Sequence, residues 1–292
     1  MPLPLNLKQK KRKIMNYKEL YEFGCLQLKA AEISDYKVDA RLLLEFITGE
    51  SWSTIFLKDK DSVEPEKEDL YKALLKKRAS HIPLQHLTNT QNFMGFDFYV
   101  NEDVLIPRFD TEILVEEALK ELHDGMHILD MCTGSGCILL SLLKLSNDTT
   151  GLGVDISDKA LAVCRENINR LELSDRVTVV QSDLFENVNG DFDLLVSNPP
   201  YIRTCEIEEL MPEVRDHDPF IALNGHESGL YFYERIIEEC EEFLHRGSLV
   251  FFEIGNDQGA EVSKLLQDKG YLDVTVIKDF GNNERVVKAI HG

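Results

Sequence analysis

Apolar positions recur at three- and four-residue steps through the first part of the chain and switch to short apolar runs further on. Tyr17, Leu20, Tyr21 and Leu28, then Val38, Leu42 and Phe46, mark amphipathic helices over about 16–80, with Asp35 as an N-cap and a further segment from Asp69 to Arg78. Pro83 breaks the helical pattern. Phe93 to Val100 then alternates around Gly95, the mark of a β-hairpin. A helix follows from Ile113 to Leu122, with Asp110 and Thr111 as caps. Beyond it, runs at His127–Met131, Gly151–Ile156, Val177–Gln181, Phe192–Ser197, Ser248–Ile254, Val274–Lys278 and Arg285–Ile290 read as strands, with helical segments in most intervals. Such alternation predicts an α/β fold: a mainly parallel sheet covered on both faces, with ligands bound beyond the carboxyl ends of its strands.

This pattern divides the chain into an extension (1–14), a helical domain (15–82), a hairpin linker (83–106) and an α/β domain (107–292). The extension carries the basic run Lys8, Lys10, Lys11, Arg12 and Lys13, read as a disordered segment ahead of Met15. The helical domain suits either a structural subdomain or a docking surface.

Charge narrows the choice of partner. Thirty-two basic residues against 52 acidic ones give a net charge of −20, a poor match to a protein that grips phosphate backbone. A protein surface or a small substrate is the better fit. The six cysteines are scattered, without C-x-x-C pairs or zinc-ligand spacing, so reduced thiols, a cytoplasmic location and no metal are expected. His81 and His86 lack a third ligand nearby. No apolar stretch reaches the ~20 residues that span a bilayer.

Candidate chemistry sits at four strand ends. After the first strand comes Cys132-Thr133-Gly134-Ser135-Gly136, where glycine lets the backbone turn tightly and a helix start offers free N–H groups. Leu139 stands where a dinucleotide fingerprint needs its third glycine, which disfavours a pyrophosphate site. The second strand ends in Asp155, a carboxylate able to accept both hydroxyls of a ribose. Asp183 and Leu184 follow the third strand, and Asn198-Pro199-Pro200-Tyr201 follows the fourth. Neither proline has an N–H, so this last segment offers the Asn198 side-chain oxygen and backbone carbonyls as acceptors, with a tyrosine ring alongside. It suits a flat –NH2 group, whose two hydrogens the carbonyls accept while its nitrogen lone pair is aimed at an electrophile. The plainer alternative is a proline-stiffened turn. Taken in order, the four sites describe an S-adenosylmethionine pocket: Cys132 to Gly136 under the methionine part, Asp155 on the ribose, Asp183 and Leu184 beside the adenine, and Asn198 next to the sulfonium methyl. Positioning and electrostatics would suffice for catalysis without a strong general base.

With these residues in hand, the chain resembles the HemK/PrmC family of protein-(glutamine-N5) methyltransferases from about residue 16 to the end. Besides N-P-P-Y, the likeness lies in Pro83-Leu84-Gln85-His86, Val104 to Glu112, Thr133 to Gly136, Asp218 to Gly225, Gly229 to Tyr233, Glu253 to Gly259, and Asp279 with Glu284-Arg285-Val286. The resemblance implies a class I, Rossmann-like methyltransferase with a seven-stranded sheet and a small helical N-terminal domain. The implied substrate is the glutamine of the Gly-Gly-Gln tip of class-1 peptide chain release factors, held by Asn198, Pro199 and Pro200, with Tyr201 packed against it and the helical domain helping to seat the factor. Arg108 is left as either a structural ion pair or a contact to the substrate loop. Where this chain has Asn89, Phe109 and Met131-Cys132, the family commonly has glycine, proline and Leu-Gly. Alternatives are a ribosomal-protein glutamine methyltransferase and an N6-adenine or N4-cytosine methyltransferase, the latter disfavoured by the acidic balance.

Overall fold

The computed structural model describes residues 14–292, so the basic run of the extension lies outside the described residues. The chain divides into two compact units, Met1–Thr88 and Asn89–Gly292.

The first unit is all helical: α1 (Tyr17–Ala30), α2 (Tyr36–Thr48), α3 (Trp52–Leu57), α4 (Pro65–Arg78) and α5 (Leu84–Thr88). A capping box starts α1, with Asn16 accepting from the Glu19 amide and Glu19 reaching back. Asp35 does occupy the N-cap of α2 but makes no side-chain capping bond. Gly49, left-handed at φ 70°, ends that helix. Of the apolar residues assigned to α2, Val38 and Phe46 are exposed; the buried face is Ala40, Leu43, Leu44 and Ile47. The helix is apolar on more than one side, and packing against α1 and α4 selects the face that periodicity could not. Helix α4 begins at Pro65 rather than Asp69, because proline at the first helical position starts a helix instead of breaking one. Leu84 packs into this helical core, so α5 belongs to the first unit and not to the hairpin stretch. The buried Arg78 and Asp39 meet at 2.7 Å, a pair whose members each need the other once out of water.

The second unit opens with the hairpin β1 (Gln91–Phe93) and β2 (Phe96–Phe98), whose turn residues Met94 and Gly95 both have positive φ. A 3-10 turn (Phe109–Thr111) leads into α6 (Glu112–Leu119). There follow β3 (His127–Met131), α7 (Cys137–Leu145), β4 (Thr150–Asp155), α8 (Asp158–Arg170), β5 (Val177–Gln181) and β6 (Phe192–Ser197). Two single-turn helices, α9 (Pro212–Arg215) and α10 (Phe220–Leu223), precede α11 (Tyr231–Glu239), β7 (Leu244–Glu253), α12 (Gly259–Asp268), β8 (Leu272–Lys278) and β9 (Glu284–Ile290). Thr111 sits at the N-cap of α6, but neither it nor Asp110 caps through its side chain.

Seven strands form one sheet in the order β5-β4-β3-β6-β7-β9-β8; only the pairings of β9 are antiparallel. The strand order reverses between β3 and β6, the place where a doubly wound sheet opens a crevice. Apolar clusters cover both faces, one built on α6, α7 and α8 and one on α11 and α12. Near-continuous apolar runs such as Leu194–Val196 are what burial on both faces demands.

Candidate functional site

The register of the central strands brings the expected residues together. Met131 of β3 lies opposite Ser197 of β6, so Cys132 and Asn198 emerge side by side at the switch point. The Ser197 hydroxyl donates to the Met131 carbonyl at 2.5 Å, locking the two strand ends.

The loop after β3 is built by its neighbours. Cys132 takes φ 63°, a left-handed conformation costly for a side chain with a β-carbon. The chain then folds back so that the Thr133 amide bonds the Val154 carbonyl, and the Gly134 amide donates to Asp155 Oδ2 at 2.9 Å. The other oxygen of Asp155 accepts from the Ser157 amide at 2.9 Å. Burial pushes the Asp155 pKa up, while the Ser157 and Gly134 amides favour its charged form. Each oxygen still has acceptor capacity toward the cleft. Beneath the loop the Thr133 hydroxyl donates to Asp130 Oδ2 at 2.6 Å. Asp130 is fully buried, which pushes its pKa to about 7.

One cleft runs along these strand ends. Cys132, Thr133, Gly134, Ser135, Asp155, Asp183, Leu184, Asn198 and Pro200 all line it. Gly136, Pro199 and Tyr201 do not. Gly136 is left-handed at φ 82°, and a β-carbon there would come within 2.6 Å of Cys164 Sγ, so this glycine serves the approach of α7 to α8. Leu184, at φ 46°, is a second strained residue on the cleft wall. Asp183 is held by Arg235 at 2.8 Å. The Asn198 side chain has no hydrogen-bond partner among the described residues, although it faces the cleft.

Residues without an assigned role complete the walls: Asp103 to Leu105 with Pro107, Arg108 and Thr111 on one side, Pro219, Ile221 and Ala222 on another. Arg108 donates to Asp218 Oδ2 at 2.6 Å, which fastens these two segments to each other, while its side chain also lines the cleft. Burial raises the Asp218 pKa to about 6 against the pull of Arg108. The motif residues Gly225, Gly229 and Gln258 converge on N-P-P-Y. A β-carbon on Gly225 would stand 2.7 Å from Tyr201 Cα, and one on Gly229 2.6 Å from the Tyr201 carbonyl oxygen. Gln258 donates to that carbonyl at 3.1 Å. Asn167 was missed by sequence reasoning. Fully buried on α8, it donates to the Tyr99 and Ser135 carbonyls and accepts from the Tyr99 amide, tying the exit of the hairpin to the glycine loop. An asparagine inside a helix carries no sequence signal for this.

Comparison with known proteins adds identity to the geometry. Residues 108–213 match the family described as Methyltransferase small domain, and residues 19–88 the PrmC N-terminal domain. A release factor glutamine methyltransferase of Clostridium acetobutylicum is 41% identical over 272 residues, 91% of this chain and 95% of that one. Its counterpart from Clostridium botulinum is 40% identical over 280 residues, 94% and 99% of the two chains. Among solved structures, a methyltransferase from Pyrococcus furiosus shares the fold at a TM-score of 0.53 and 18% identity, over 74% of this chain and 98% of that one. Identity of this extent, spread over both units, means that the chain belongs to the release factor glutamine methyltransferase family.

Proposed function

We propose that this protein transfers a methyl group from S-adenosylmethionine to the side-chain amide nitrogen of the glutamine in the Gly-Gly-Gln tip of class-1 peptide chain release factors. The observation that carries the reading is Asn198: a polar amide at the switch point, facing the cleft, with its hydrogen-bonding capacity unspent. A half-buried amide that faces a cleft without a protein partner is free to exchange water for the donors and acceptors of a ligand.

The residues present fit the cofactor. The open space beside Gly134 leaves the backbone of the loop accessible to the methionine part. Asp155 keeps lone pairs for ribose hydroxyls, and Asp183 and Leu184 with Ile156 form a partly apolar wall for a base. Bound there, the cofactor would supply a methyl group already activated on a sulfonium. The work of the protein is then to present the acceptor nitrogen. An amide nitrogen is a weak nucleophile because its lone pair is delocalised. The Asn198 oxygen would take one of its hydrogens and, from behind the cleft wall, the Pro199 carbonyl the other once the acceptor is seated, holding the lone pair in line and favouring its rehybridisation.

The acceptor is a macromolecule, and the helical unit offers exposed Leu26, Phe56 and Leu57 as contacts for it. Among the described residues no helix is long and apolar enough to cross a membrane. A release factor as substrate is consistent with a reaction in the cytoplasm.

Transfer of labelled methyl groups from S-adenosylmethionine to purified release factor, ribosomal protein and DNA, with mass mapping of the acceptor, tests the reading. Label on the release-factor glutamine is expected; label on DNA or ribosomal protein alone would overturn it. Asn198→Ala is expected to abolish turnover while cofactor affinity stays within about tenfold, because the side chain presents the acceptor and does not carry the cofactor.

A further inference from the structure

Glu253 ends β7 one position beyond the Ser197–Phe252 pair, so it emerges beside Asn198. Its side chain is 2% exposed, and Oε2 has no hydrogen-bond partner among the described residues. Oε1 receives a long hydrogen bond of 3.4 Å from the Tyr201 hydroxyl. Thr111, on the cleft wall, lies near enough to favour the charged form of the same carboxyl. A carboxyl in a strand core is expensive where an apolar side chain would pack as well. Its expense, together with the Tyr201 hydroxyl set on it, points to a use.

We propose that Glu253 is a positioning residue that anchors N-P-P-Y through the Tyr201 hydroxyl, so that Tyr201 holds Asn198 in place from behind. The proposal rests on the reading of Asn198 as the group that presents the acceptor. It accounts for Tyr201 standing off the cleft wall while Asn198 and Pro200 line it.

Polar and charged groups from several neighbouring elements face the carboxyl. Arg285 comes from β9, itself pinned by Asp110 at 3.1 Å and Asp279 at 3.2 Å. Tyr233 of α11 donates to the Glu253 main-chain carbonyl at 2.7 Å. Cys137 at the start of α7 and Asp110 in the 3-10 turn lie within electrostatic reach. Burial raises the Glu253 pKa to about 7, against the pull of Thr111, Arg285 and Tyr201. As the proton leaves, the hydrogen bond from Tyr201 becomes charge-assisted and tightens. The anchor is therefore engaged above neutral pH and slackens below it.

Two measurements on the full chain test this. The first needs no acceptor: with fluorotyrosine incorporated, the resonance of residue 201, assigned by its loss in Tyr201→Phe, is expected to shift with a midpoint near pH 7 and to stay fixed in Glu253→Gln. A resonance that does not titrate, or that titrates equally in Glu253→Gln, overturns the proposal. The second is the pH dependence of kcat on release factor. An ascending limb near pH 7 is expected. Glu253→Gln and Tyr201→Phe should each flatten that limb and lower kcat about tenfold at pH 8, with KM and cofactor affinity changed less than about threefold. The double variant should be no worse than either single one, since both remove the same interaction. Effects that multiply, or a limb that persists in Glu253→Gln, overturn it. A titrating resonance in a protein that methylates no release factor would refute the proposed substrate and leave the anchor standing.

Discussion

At the scale of single residues, the site is made of groups held where water or flexibility would normally not allow them. Cys132 and Leu184 adopt left-handed backbone angles without being glycine, and both line the cleft. The glycine usual at position 132 in the family has its reason in that angle, as does the glycine at Asn89, where φ is 52°. Asparagine tolerates this conformation, and here its amide also donates to the Val100 carbonyl at 3.0 Å. Phe109, where proline is common, is exposed, so its effect falls on the surface and not on the cleft.

Four carboxyls have their pKa raised by burial: Asp130 and Glu253, each to about 7, Asp218, to about 6, and Asp155. A carboxyl with a folded pKa above its unfolded one binds more protons in the native state. Its contribution is therefore fully present below the unfolded pKa and is lost as pH rises through the folded one. His245, raised by Asp193, works in the same direction, while Asp193 and Asp279 are lowered and act only at more acidic pH. The melting temperature is thus expected to fall between pH 5.5 and 8, and Asp130→Asn should flatten part of that fall, which calorimetry across this range would measure. A melting temperature that rises over the window would refute the account.

At the scale of elements, the decisive feature is the parallel pairing of β3, β6 and β7, which lines up Cys132, Asn198 and Glu253 at one edge. The strands were legible in the sequence: β3, β5 and β6 lie residue for residue where apolar runs predict them. β7 starts at Leu244 and not Ser248, because polar residues at a strand entrance carry no alternation. The loops that buttress N-P-P-Y were visible as motifs without a role. Their role is steric: the Ile202 amide bonds the Leu223 carbonyl, the Gly225 amide bonds the Ile202 carbonyl, and Gly225 then lies flat against the Pro200–Tyr201 peptide. Backbone atoms at 2.7 to 2.9 Å cannot give way to a methyl group. Gly225→Ala should therefore displace the tetrapeptide and lower kcat/KM by about a hundredfold, the scale on which a misplacement of about 1 Å acts, while binding of S-adenosylhomocysteine by calorimetry changes little. An alanine variant with full activity would contradict this packing.

At the scale of the whole molecule, two units each bury a core of their own. Residues 89–292 hold every residue that lines the cleft. Expressed alone, this piece is expected to fold cooperatively and to bind the cofactor, while losing most turnover of release factor if the helical unit seats the substrate. Circular dichroism and the methyl-transfer assay separate these outcomes, and full turnover by the piece would remove the helical unit from substrate binding. The net charge of −20 belongs to this scale too: it disfavours nucleic acid as the partner and says nothing of the fold.

The sequence by itself determined the class of fold, the position of most strands and the chemistry at their ends. These follow from local periodicity, from the missing N–H of proline and from the freedom of glycine. Only the tertiary structure decided which face of α2 is buried, that Asn167 binds the hairpin to the glycine loop, that Arg108 is clasped by Asp218, and that Tyr201 turns its hydroxyl to Glu253. Each of these joins residues far apart in the chain, and their meeting depends on the register of strands and the packing of helices. Local pattern does not encode such meetings, because hydrogen bonds and excluded volume act between whatever the fold brings within a few ångströms.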